Sequence, residues 1–195
     1  TPGTGFQVSA NSEDPAEARF ANVNPAYAAH FNTNSPKRLF AAVNSTVVNA
    51  TFFVPGVPSV PAASSGFGVV FTGVNTAGSA SIELFDSANL PLGTFRAPVS
   101  AVGGLSFIGV ALPEGQRAAR VRITSGNLPL GAANLDGNGS DVVAMDDFIY
   151  GEPIAQPLQV NLPIPQAGGK ALLTLGGVAG IRYAVERSAD SSQWK

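Results

Sequence analysis

The sequence predicts an all-β fold: a two-sheet antiparallel β-sandwich, jelly-roll-like, with a short C-terminal β segment. Three observations carry that reading. Twenty-two glycines and fifteen prolines punctuate short apolar runs across 195 residues. Period-two alternation is frequent, and no stretch holds a helical period for three turns. Strand-like pieces recur at short spacing with turn residues between them and no helix pattern intervening, which favours two packed sheets over alternating α/β layers.

Along the chain, Asp14-Pro-Ala-Glu-Ala-Arg19 has an Asp cap and a Pro at the first helical position, but it spans barely one turn and reads as loop. Val47–Val54 reads as a strand. Pro55-Gly-Val-Pro-Ser-Val-Pro61 is expected to end it, because proline cannot donate into a central ladder. Phe52 and Phe53, adjacent in that strand, must point to opposite faces, so one of them is open to solvent or to a neighbouring domain. Ser79–Phe85 alternates cleanly. Asp86-Ser-Ala-Asn-Leu-Pro-Leu-Gly93 then supplies Asp and Asn for a side-chain-closed turn. Gly104–Leu112 is almost continuously apolar, as expected of a central strand covered on both faces. Arg117–Thr124 places Arg120 and Arg122 on one face, and Ser125–Gly131 ends it. The last strand of the main unit is Asp141–Tyr150.

Composition bounds the function. There are no cysteines, which removes disulfides, thiolate metal sites and cysteine nucleophiles. Eleven Lys and Arg stand against thirteen Asp and Glu, so the basic stripe of a nucleic-acid binder is missing. Charged residues make up only 12% of the chain, about half the usual quarter. No segment approaches the ~18 consecutive apolar residues of a membrane span, so no membrane insertion is expected within this chain.

The domain reading is a jelly-roll-like sandwich over residues 1–153, a linker over 154–157, and the truncated start of a second β domain over 158–195. Leu158–Leu162, Lys170–Leu175 and Ile181–Arg187 are strand-like, and three strands in under forty residues cannot close a sandwich of their own. The sole tryptophan, Trp194, is expected to pack against something further on.

The wording of Gly66-Phe-Gly-Val-Val-Phe-Thr72, Ile82-Glu-Leu-Phe-Asp86, Phe107-Ile-Gly-Val110, Ala119-Arg-Val-Arg-Ile-Thr-Ser-Gly126 and Val143-Ala-Met-Asp-Asp-Phe-Ile-Tyr-Gly151 resembles a family of bacterial exported β-sandwich proteins of the sorting- or anchor-tail type. The resemblance covers most of residues 1–153 and includes a closing Asp-Asp-Phe-x-Tyr strand. It implies a secreted or bacterial cell-surface location and supplies no established activity. Gly180–Asp190 with Trp194 resembles the start of a fibronectin-type-III-like repeat.

The chemically richest stretch runs from Asp136 to Tyr150, where four of the thirteen acids fall within twelve residues. Crowded carboxylates repel one another unless a cation, an arginine or a hydrogen-bond network offsets them. Asp136, Asn138 and Ser140 sit two apart and Asp147 lies eleven after Asp136, which partly mimics a calcium loop. Asp141 stands where that loop has glycine, and strands rather than helices flank it. The expected cofactor is therefore calcium in a jelly-roll rim site, with Asp136, Asn138, Asp141, Asp146 and Asp147 as candidate ligands. The competing reading pairs Asp146 or Asp147 with Arg19, Arg38 or an arginine of 117–122 and makes Asp136-Gly-Asn-Gly a plain turn. Strict alternation would put Asp146 with Phe148 and Tyr150, and Asp147 with Met145 and Ile149.

His30, the single histidine, lacks the partners of a triad or zinc site and reads as a hydrogen-bonding surface residue. No Gly-x-Ser-x-Gly elbow occurs. Tyr27, Phe31 and Phe40 lie in or near a loop and could form an aromatic platform for a sugar, with Tyr27 and Phe31 the candidate binding residues. The expectation is a non-catalytic structural or adhesive extracellular domain, not an enzyme. Its expected partners are other surface proteins, copies of itself or polysaccharide, and the alternative is a carbohydrate-binding module of a secreted multidomain protein.

Overall fold

The computed structural model describes residues 5–10, 13–36, 38–155, 159–160, 164–166, 170–172 and 175–176. In chain order the sandwich contains β1 (Phe6–Val8), β2 (Phe40–Ala42), β3 (Val47–Val54), β4 (Val57–Ala63), β5 (Gly66–Thr72), β6 (Ala80–Phe85), β7 (Pro91–Arg96), β8 (Leu105–Ala111), β9 (Arg120–Ser125), β10 (Ala144–Tyr150) and β11 (Ile154–Ala155). One sheet has the order β1-β2-β10-β5-β8, the other β11-β4-β3-β9-β6-β7, and every pairing is antiparallel.

Set aside β1, β4 and β11, and eight strands remain that pair first with last. β2 meets β10, β3 meets β9, β5 meets β8 and β6 meets β7. A single antiparallel ribbon wound over itself in this way is a jelly roll. Its inner faces enclose one core that includes Phe52, Phe67, Phe71, Ile82, Leu84, Val121, Ile123 and Met145. Each such side chain, fully buried, contributes about 1.5–3 kcal/mol.

A second, smaller core lies on the outer face of the β10 sheet. There Phe20, Tyr27, Phe31, Leu39 and Leu130 cover Ala41, Val142 and Ala144. It is built from irregular chain: a 3₁₀ turn at Glu17–Arg19, a one-turn helix α1 at Tyr27–His30, and the loop before β10. The segment 14–19 read as loop thus contains a short 3₁₀ turn, with the Asp14 carboxylate accepting from Ala16 N–H at 2.8 Å.

Several expectations change. Strand β3 ends at Val54 as expected of Pro55–Pro61, but Val57–Ala63 is itself strand β4, joined to β3 by Pro55-Gly56 with Gly56 at φ +76°. Pro58 and Pro61 are tolerated because β11 covers only Ala62 and Ala63, leaving the outer side of the prolines unpaired. Strand β8, expected at the centre, is an edge strand, and only its inward positions are buried. Its continuous apolarity reflects exposed Leu105 and Phe107 as well as buried Ile108. Phe107 lies over Gly68 and Gly109, where an added Cβ would touch its ring. The Phe52–Phe53 expectation holds: Phe52 is in the core and Phe53 is exposed. Ile154 and Ala155, assigned to the linker, pair with Ala63 and Ala62 as strand β11.

Beyond the sandwich, β12 (Gln159–Val160) pairs with β15 (Leu175–Gly176) and β13 (Ile164–Gln166) with β14 (Lys170–Leu172). The expected strand Ile181–Arg187 and Trp194 lie outside the described residues.

The end of β9 demands glycine. Gly126 has φ +82°, and a Cβ there would overlap the Asp141 carbonyl oxygen. Gly126→Ala is expected to lower unfolding free energy by about 3 kcal/mol or more, because backbone strain adds to a clash with immobile backbone. Gly115→Ala, at φ +83° in open space, should cost only about 1 kcal/mol. Denaturant melts of both variants check the contrast. Equal costs would remove the assigned role of Gly126.

Candidate functional site

The acids of 136–147 divide into two groups held by different loops. Asp141 is fully buried just before β10. Its Oδ1 accepts from Asn75 N–H at 3.2 Å, and its Oδ2 accepts from Asn75 N–H at 3.3 Å, Thr76 N–H at 3.1 Å and the Ser79 hydroxyl. Its own N–H donates to Asn127 Oδ1 at 2.7 Å. Asp136 accepts from the Asn75 side-chain amide and, through Oδ1, from Val142 N–H at 3.2 Å. The five residues 75–79 between β5 and β6 are thereby fastened to the loop preceding β10.

His30 belongs to this network and is buried, contrary to the surface role expected of it. Its Nε2 lies 3.0 Å from the Val142 carbonyl and 3.7 Å from Asp136 Oδ1. A carbonyl can only accept, so Nε2 carries the proton. Tyr27 and Phe31, expected as an exposed platform, are each 1% exposed and stack at 5.1 Å in the second core. The Tyr27 hydroxyl lies 2.9 Å from the Gly131 carbonyl and 2.7 Å from that of Asn134. Burial raises its pKa above the ordinary 10.0, so it stays a donor. Neither ring can meet a sugar.

Asp146 and Asp147 form the second group, in the middle of β10. Met145 pairs with Phe71 and Phe148 with Val69, so two residues of β10 oppose the single residue Val70. This bulge overturns strict alternation: Phe148 returns to the core side with Met145, and both carboxylates reach the segment before β2. Asn34 N–H donates to Asp146 Oδ2 at 2.5 Å, and the Asn34 amide donates to Asp147 Oδ2 at 2.7 Å. The Ser35 hydroxyl lies 3.1 Å from Asp146 Oδ1 and 2.7 Å from Asp147 Oδ1.

The two neighbours are pushed apart in acidity. Burial raises the Asp146 carboxyl above the ordinary 3.8, outweighing the Asn34 and Ser35 hydrogen bonds that lower it. Asp147, at the surface, is held below 3.8 by the Ser35 and Asn34 hydrogen bonds. Both face a cleft of about 710 Å³ lined also by Ser35, Pro36, Arg38, Phe40, Phe148 and Tyr150. Phe40, Phe148 and Tyr150 are shared with an apolar groove of about 560 Å³ that opens between the sheets past Phe52 and Phe67.

The five candidate metal ligands therefore do not converge. Asp136 and Asp141 are tied to 75–79, Asp146 and Asp147 to 34–35, and Asn138 is exposed in a tight turn at φ +54° between Gly137 and Ser140. Asp146 lies five positions after Asp141, roughly 16 Å of extended chain, which is why closeness in sequence misleads. Among the described residues no group of three or more His, Cys, Asp or Glu side chains is placed to hold a metal ion. The donors facing Asp141 and Asp146 are N–H and O–H groups, which take the lone pairs a hard cation would need. Among the described residues no ion pair joins Asp146 or Asp147 to an arginine: Arg19 donates to the Pro15 carbonyl, and Arg120 lies over the Phe85 ring at 3.6 Å and donates to Asn89 and Asn49. The partners the sequence did not reveal are Asn34, Ser35, Asn75, Thr76 and Ser79, polar residues of loops with no motif to mark them.

No family model and no curated protein matches the chain. Among solved structures, the enzymatically active domain of tailspike protein 4 of bacteriophage CBA120 matches with a TM-score of 0.35 and 15% identity, over 79% of this chain and 18% of that one. So slight a likeness carries no activity to this chain. No helix among the described residues is long and apolar enough to cross a membrane.

The split pair gives opposite pH signs. Asp147, lowered on folding, supplies stability present above 3.8 and lost as pH falls through its folded value. Asp146, raised on folding, favours the folded state below 3.8 and loses that contribution as pH rises through its folded value. Relative to wild type, Asp147→Asn should be most destabilising at neutral pH, with the cost shrinking as pH falls below 3.8. Asp146→Asn should become relatively more favourable from pH 4 to pH 7. Urea melts across that range measure both slopes, and parallel slopes would refute the assignment.

Proposed function

We propose that the chain is a non-catalytic structural or adhesive β-sandwich module of a secreted or cell-surface protein. The observation that supports this reading is the commitment of its acids. Asp136, Asp141 and Asp146 use their oxygens to hold backbone and side-chain donors of neighbouring loops. A general acid or base must meet substrate; Asp136 and Asp141 face their own chain, and Asp146, at the cleft wall, has its oxygens taken by Asn34 and Ser35. His30 Nε2 is likewise directed at the Val142 carbonyl. Loop ends fastened to a rigid sandwich suit a module that presents a fixed surface.

A second reading, a carbohydrate-binding module, is favoured by one observation. Arg38, Asp147, Phe40 and Tyr150 line the same cleft, so charged and aromatic groups meet at one open surface.

Calcium is the alternative fastener, and chelation separates it from hydrogen bonding. With loops held by their own donors, EDTA should leave the melting temperature unchanged. Asp141→Ala should lower unfolding free energy by about 3 kcal/mol or more, since it strands the Asn75 and Thr76 N–H groups and the Ser79 hydroxyl. A fall of several degrees with EDTA, restored by added calcium, would establish a metal in place of this arrangement.

A further inference from the structure

We propose that the cleft lined by β10 and by Ser35, Pro36, Arg38 and Phe40 is a saccharide-binding subsite, in which Arg38 and Asp147 bind hydroxyl groups and Tyr150 forms the stacking wall. The inference rests on reading the chain as a binding module and specifies its ligand class.

The polar edge has spare capacity of both signs. Arg38 is exposed, lines the cleft and makes no ion pair with any described residue, so its guanidinium donors are available to a ligand. Asp147 accepts one hydrogen bond on each oxygen, from Ser35 and Asn34, and a carboxylate has about four lone-pair sites. Lone pairs are left over at the surface. The cleft thus sets a guanidinium and a rim carboxylate beside Asp146, whose oxygens are already taken by Asn34 and Ser35. Adjacent hydroxyls of a sugar satisfy both, donating to the carboxylate and accepting from the guanidinium.

The aromatic wall is firm. Tyr150 is 54% exposed and backs onto Phe52 with ring centroids 5.8 Å apart. Phe40 and Phe148 meet edge to face at 5.6 Å behind it. A ring held in this way offers an apolar face for the C–H side of a pyranose and a polar tip at the rim. The cleft volume falls within the range of small-molecule sites, roughly 300–1,000 Å³.

The test uses the full chain and soluble neutral polysaccharides, a glucan, a mannan and a galactan, titrated by calorimetry. Arg38→Gln is the cleanest variant, because that side chain makes no ion pair with any described residue. Tyr150→Ala is the second, and Val102→Ala, at an exposed site outside the cleft, is the control. Thermal melts establish that each variant is folded. The proposal expects saturable binding to at least one polymer, weakened about tenfold or more by Arg38→Gln and by Tyr150→Ala and unchanged by Val102→Ala. Saturable binding that both cleft variants leave intact would overturn the location. Absence of binding to all three polymers would overturn the ligand class. Release of reducing ends from a polymer over time would instead overturn the non-catalytic reading on which the inference stands.

Discussion

The buried carboxylate of Asp141 is the constraint from which the rest of this structure follows. A carboxylate taken from water costs several kcal/mol unless donors replace the solvent. Here they come from Asn75, Thr76 and Ser79, in a loop 62 to 66 residues earlier in the chain. The same residue fixes Asn127 through its N–H and, through its carbonyl, accepts from Asn127 and Leu128 N–H. Two crossings of the jelly roll are thus clamped at the point where β10 begins. Because β10 inserts between β2 and β5, its starting point sets where every later carboxylate lies.

That insertion makes the fold a late, non-local event. β10 pairs with strands far earlier in the chain, and each closing contact must overcome loop entropy before it contributes stability. A hydrophobic face alone leaves register open to slippage by two. Polar clips such as Asp141 to Ser79 and Asp146 to Asn34 reject the slipped pairings, since a shift would strand buried oxygens and N–H groups alike. Through these hydrogen bonds the acids of 136–147 also act as register pins.

Much of the frame was legible from the residues. Alternation located β6 and β9, and the Asp86–Gly93 turn behaves as its chemistry requires, with Asp86 Oδ1 accepting from Leu90 N–H at 2.8 Å. What failed depended on partners. Strand β8 looked central because its outward residues are also apolar, and whether a neighbour covers them is not written in the strand itself. Tyr27 and Phe31 sit in irregular chain without periodicity, so nothing local announced that Leu39 and Leu130 would close over them. The bulge at Asp146-Asp147 is a property of the pairing with β5. Arg38, Asn34 and Ser35 form no motif; only the fold brings them beside β10.

The bulge also explains how one residue type serves two ends within twelve positions. Met145 faces the core; without an extra residue Asp147 would face it too, and Phe148 would turn away. An unpaired carboxylate among Phe40, Phe67 and Phe148 would cost more than the sandwich could recover. Inserting one residue returns Phe148 to the core and leaves both carboxylates on the side of Asn34 and Ser35. Asp146, deeper, spends its oxygens on that segment. Asp147, at the rim, keeps lone pairs that face Arg38 across open space. The division between a fastening acid and an acid available to a ligand is thus set by local geometry, a single β-bulge, and not by anything chemical in the side chains.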